Sequence, residues 1–94
     1  MPYMMVHHNV KDYDAWKIVF DEHSETRKAA GSKGGHLFRG DDNPNEVIAV
    51  LEFEDLDKAR EFASSDNLRE AMQNAGVEGT PTIVFMNAVD RPSA

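Results

Sequence analysis

Residues 46–53 read EVIAVLEF. Eight residues bounded by a DDNPN turn and an acidic EDLD segment have the length of a strand. An antiparallel strand with one wetted face alternates apolar and polar residues, whereas Val47 to Leu51 are apolar without interruption. The same holds for YMMV at 3–6 and IVFM at 83–86. These strands therefore present apolar side chains on both faces of whatever sheet they build.

Working outward, residues 2–8, PYMMVHH, read as a first strand, HLFRG at 36–40 as a second and PTIVFMN at 81–87 as the last. Pro81 is acceptable at the first position of that last strand, where no ladder donor is needed. Between the first two strands the period becomes helical, with Tyr13, Trp16, Val19, Phe20, His23, Arg27 and Ala30 recurring on one side. Asp12 is placed to cap this helix and Gly31 to end it. Asp55 caps a second helical stretch carrying Leu56, Ala59, Phe62 and Ala63, and SSDN at 64–67 breaks it before Leu68, Ala71, Met72 and Ala75. The order is βαββαβ, an α+β fold of the ferredoxin-like type, with a four-stranded antiparallel sheet and helices on one face. The helices cover one apolar face, and the other is expected to be covered by a second copy packed sheet to sheet as a homodimer. Residues 1–88 are expected to form this single domain and 89–94 a flexible tail.

The chain has 94 residues, one domain's worth, and a formal net charge of -7. Its ten Lys and Arg residues are scattered along the sequence, which argues against nucleic acid and anionic membrane as partners. With no cysteine, disulfides, thiolate nucleophiles and zinc–cysteine sites are excluded. The opening MPYMMV reads as neither a signal peptide nor a membrane span, so a cytoplasmic location is expected. Glycine-rich phosphate loops and serine-nucleophile motifs are absent.

Candidate site residues come from the polar groups among the apolar ones. His7 and His8 are adjacent on a strand and point to opposite faces, so one of them faces the helices. His23 shares a helical face with Trp16 and Phe20. His8 and His23 are the candidate proton carriers, imidazole being the side chain that titrates near ~6.5. The alternative for His23 is a partly buried, hydrogen-bonded histidine near a helix end. Trp16 and Tyr13 are candidates to hold a flat ring, with core packing as the alternative for Trp16. Arg39 and Glu52 are charged residues in apolar strands, expected on one face with Ile48 and Val50. They either line a cavity or keep their charges in water. Arg27 and Tyr13, at opposite ends of the first helix, are expected at the rim. A metal site built from histidine and carboxylate ranks last, since HExxH spacing is absent.

HNVKDYDAWKIVFDEH at 8–23, then Arg27 and Gly31, Arg39 with DDNPNEV, and LREAMQNAGVEGTP at 68–81 together resemble small bacterial proteins of the dimeric α/β-barrel superfamily. These are often described as cyclase-like or antibiotic-biosynthesis-monooxygenase-like. The resemblance implies two ferredoxin-like subunits with sheets packed into a barrel and a cavity between each sheet and its helices. Relatives in that superfamily include cofactor-free monooxygenases, polyketide cyclases, isomerases, haem-degrading enzymes and stress-responsive proteins without established chemistry. The monooxygenases and haem degraders tend to use an asparagine on the first strand and a tryptophan on a later one. Here the first strand offers His8 followed by Asn9, and the sole tryptophan, Trp16, is on a helix. The expectation is a small-molecule-binding dimer, with a cofactor-free cyclase or isomerase acting on a flat apolar oxygen-bearing molecule as the first reading. A non-catalytic ligand-binding or stress-related dimer and a cofactor-free monooxygenase are the alternatives.

Overall fold

Alternate residues of EVIAVLEF meet opposite environments in the computed structural model, which describes residues 1–94. Val47, Ala49, Leu51 and Phe53 are buried beneath helices, while Glu46, Ile48, Val50 and Glu52 lie on the other face and are only partly covered. The elements are β1 (Pro2–Val10), α1 (Tyr13–Glu22), α2 (Ser24–Ala29), β2 (Ser32–Arg39), β3 (Glu46–Phe53), α3 (Leu56–Ala63), α4 (Asp66–Asn74) and β4 (Val77–Asn87). The strands pair antiparallel in the order β2-β3-β1-β4, the ferredoxin-like arrangement, with both helical layers on one face. No helix is long and apolar enough to cross a membrane.

Caps fix the helices. Asp12 accepts a hydrogen bond from Ala15 N at 3.1 Å, Asp55 from Lys58 N at 2.7 Å and Ser65 from Leu68 N at 3.2 Å. The first helical stretch is not continuous. His23 takes φ -85° and ψ 2°, ending α1, and α2 restarts at Ser24. Gly31, at φ 103°, ends α2 in the left-handed region, which a side chain would strain.

Two strand starts and one register differ from the sequence reading. β2 begins at Ser32 instead of 36, because Gly34 and Gly35 still pair with Glu52 and Leu51. β4 begins at Val77, which puts Pro81 inside the strand. It is tolerated there because β4 is an edge strand and its register with β1 shifts between His7 and Asn9, opposite the Gly79–Pro81 segment. Arg39 pairs with Val47, not Ile48. A one-residue difference in register reverses the face, so Arg39 is on the helix side and does not share a face with Ile48, Val50 and Glu52.

The helix-side core is in two pieces. Met4, Val6, Ala49, Leu51, Phe53, Ala59 and Phe62 form one cluster, and Val10, Trp16, Val47 and Ala75 form the other. On β1 the inward residues are Met4, Val6, His8 and Val10. The imidazole of His8 stands where the apolar row passes from one cluster to the next. The opposite face of the sheet carries apolar side chains with no helix over them: Phe38 is 50% exposed and Val84 40%.

Candidate functional site

Between the two core clusters lies a cavity floored by Met4, Val6, His8, Ala49 and Leu51 of the sheet and roofed by residues of α1, α3 and α4. It exists because small residues, Ala49, Ala71 and Ala75, stand where larger ones would close it. Its free space is about 60 Å³. On that measure one water needs roughly 10–15 Å³. The cavity thus admits several water-sized groups, the scale of one small ring and not of a fused polycycle.

His8 is 7% exposed, and neither Nδ1 nor Nε2 has a hydrogen-bond partner in the protein. An unsatisfied buried polar atom costs roughly 1–3 kcal/mol. Burial, and secondarily the neighbouring His7, push the His8 pKa below its ordinary value. The ring is therefore neutral at pH 7, with one N–H donor and one lone pair, both unpaired. Trp16 fixes it edge-on, with ring centroids 5.6 Å apart. A neutral imidazole in an apolar cavity can accept a proton from a bound acid and donate a hydrogen bond to its oxygen.

His23 and Arg27 mark the cavity's outer wall. His23 sits at the α1–α2 break, and its Nε2–H donates to Asn67 Oδ1 at 2.6 Å, bridging to α4. That bond leaves Nδ1 as the ring's free acceptor. Arg27 Nη1 donates to Phe20 O at 2.6 Å, and the guanidinium lies 3.7 Å over the Phe20 ring. Phe20 in turn stacks on Trp16 at 4.8 Å. Burial lowers the pKa of Arg27 while the charge of Asp21 opposes that shift, and a guanidinium stays cationic regardless.

Of the six residues singled out from sequence, the structure brings His8, Trp16 and His23 to this cavity. Tyr13 and Arg39 pair with each other elsewhere: the Arg39 guanidinium lies 3.9 Å over the Tyr13 ring, which is 5.8 Å from Trp16 and does not line the cavity. Arg39 Nε also donates to Pro44 O at 3.0 Å. Glu52 is on the uncovered sheet face. His7 is on that face too, its Nε2–H donating to Glu46 Oε2 at 2.8 Å. The inward histidine of the pair is thus His8. No three histidine or carboxylate side chains converge as metal ligands would. Arg27, expected at the rim, is instead a wall of the cavity. Its signal in the sequence was a cation on the apolar face that also carries Trp16 and Phe20.

No protein-family model matches the sequence, and no curated protein matches it. Solved structures do match. One named an antibiotic biosynthesis monooxygenase aligns over 96% of this chain and 100% of its own, with a TM-score of 0.69 at 21% identity. A cofactor-independent oxygenase from Streptomyces nogalater aligns over 99% of this chain and 97% of its own, with a TM-score of 0.78 at 14% identity. Rv0793 from Mycobacterium tuberculosis aligns over 99% and 100%, with a TM-score of 0.67 at 13% identity. At these identities the likeness is one of fold. The chain has the ferredoxin-like fold of the antibiotic-biosynthesis-monooxygenase-like proteins.

Proposed function

We propose that this protein binds a small, flat, enolisable or phenolic molecule in the cavity between sheet and helices and moves a proton from it through His8, without a cofactor. The observation that carries the reading is the orphaned imidazole: a buried, neutral ring with both nitrogens unpaired in a largely apolar space. A bound O–H or C=O would satisfy the nitrogen that faces it, as donor or as acceptor. Proton removal from carbon leaves an enolate whose oxygen is hydrogen-bonded, and return of the proton at another atom completes an isomerisation or prepares a ring closure. His23, at the cavity wall, is the second proton carrier in this scheme.

The second reading is oxygenation of the same anion by dioxygen. The fold shared with a cofactor-independent oxygenase supports it. A homodimer belongs to the proposal as well. Apolar side chains on the uncovered face, Phe38 and Val84 among them, support sheet-to-sheet packing of two copies.

Phenylacetone, an enolisable one-ring ketone, tests this in D2O. Exchange of its methylene protons, followed by NMR, is expected to be faster with protein and to return to the buffer rate with His8→Leu. Equal exchange by the two proteins would overturn the role of His8. Oxygen uptake measured in parallel separates the two readings: consumption accompanying exchange favours oxygenation, and exchange without it favours isomerisation.

A further inference from the structure

Three of the ten Lys and Arg residues meet at one groove. Beside the apolar cavity, and sharing Phe20, Arg27 and Leu51 with it, runs a groove of about 370 Å³ between α2 and the start of β2. Its polar lining includes Arg27, Lys28, Lys33, Ser24 and Ser32, and no acidic side chain lines it. In a chain of net charge -7 this is a local reversal of sign. None of these three cations is held by an ion pair, whereas Lys17, Lys58 and Arg69 each are. Asp21, the acid whose charge Arg27 feels, is already bonded to Lys17 at 2.6 Å.

The groove is built by the local backbone. β2 pairs irregularly with β3 between Ser32 and Gly34, and Gly34 has φ 94°. Such bulges re-aim side chains at strand edges. Gly34 and Gly35 then leave no side chain over this part of the sheet. A Cβ on Gly35 would lie 1.9 Å from Val50 O, so the position excludes any other residue without backbone movement. The result is a groove with a cationic edge that adjoins the apolar cavity at Phe20, Arg27 and Leu51.

We infer that the ligand carries an anionic group, a carboxylate or a phosphate, on a short tail. The anion is held in the groove by Arg27, Lys28 and Lys33 while the ring occupies the apolar cavity. This rests on the cavity reading above and narrows it to amphiphilic acids. The Arg27 guanidinium, held over the Phe20 ring with one N–H donated to a backbone carbonyl, is already oriented and has further donors for the anion. Lys28 and Lys33 are exposed and add charge.

The test is a matched pair of probes, 3-(4-hydroxyphenyl)propionate and its primary amide, titrated by calorimetry at low salt into the wild type and into Lys28→Gln/Lys33→Gln. The wild type is expected to prefer the carboxylate by about tenfold, the range of a charge-assisted bond. The preference should shrink to within about threefold in the double variant and weaken with added salt. Equal affinity of the wild type for both probes overturns the inference and leaves the cavity reading standing. A carboxylate preference unchanged in the double variant also overturns it. Failure of both probes to bind at millimolar concentration overturns the inference together with the cavity reading. Carboxylate binding that survives Ala71→Trp, which fills the cavity, overturns the placement of the ring there and the inference with it.

Discussion

Replacing His8 by leucine is predicted to stabilise the protein while removing its function. Most buried large-to-small or polar-to-apolar changes cost stability, so the direction is diagnostic. The wild-type ring is 7% exposed with two orphaned nitrogens between two apolar clusters. Each orphan costs roughly 1–3 kcal/mol, and an apolar residue of similar volume removes that cost and joins the clusters. Against this stand a different shape and the lost edge contact with Trp16. The net expectation is a gain of about 1–2 kcal/mol at pH 7, or ~5–10 °C in Tm for a domain of this size.

The pH dependence sharpens the same experiment. Burial lowers the His8 pKa in the fold, so below ~6.5 the unfolded chain binds a proton that the folded chain does not. Wild-type stability from this group is therefore complete above that pH. It falls as pH drops below it, by up to about 1.4 kcal/mol per pH unit, until the folded pKa is reached. The leucine variant lacks this component, so its advantage over wild type widens between pH 7 and pH 5. Urea unfolding at fixed protein concentration across that range measures it. A variant less stable than wild type at pH 7, with a gap that does not grow in acid, would show that His8 is a satisfied structural residue and refute the reasoning.

Further predictions concern packing and assembly. The purified protein should run in light scattering at twice the 10.5 kDa chain mass, and Val84→Lys on the uncovered face should shift it toward the single-chain mass. Gly35→Ala should cost about 1–3 kcal/mol in urea unfolding, since its Cβ meets Val50 O at 1.9 Å and backbone cannot move aside as a side chain can. Trp16→Ala should cost roughly 3–5 kcal/mol, a large part of the stability of a small domain. Trp16 is the sole tryptophan and lines the cavity, so its fluorescence should respond to any ring bound there.

The strand and helix types were legible because the apolar spacing changed period between elements. The caps at Asp12 and Asp55 and the break at residues 64–67 carried their own signals. Register was not legible. It depended on whether Gly40–Asn45 closes with Arg39 opposite Val47 or Ile48, and composition alone does not decide a single step. That step moved Arg39 to the helix side, apart from Glu52. The inward choice between His7 and His8 was undetermined for the same reason, since adjacent strand residues swap faces with any shift. The basic groove was hidden because Arg27 and Lys33 lie on either side of the α2–β2 turn, and only the fold of that turn brings them to one rim.

The central claim is that the unpaired His8 nitrogens are where a ligand binds. The most direct measurement is the imidazole nitrogen spectrum of His8, assigned by loss in His8→Leu, during titration with 3-(4-hydroxyphenyl)propionate. The account predicts a saturable shift of its ring nitrogens toward hydrogen-bonded values, parallel to the quenching of Trp16. His8 nitrogens that stay unchanged while the protein saturates with ligand would contradict it.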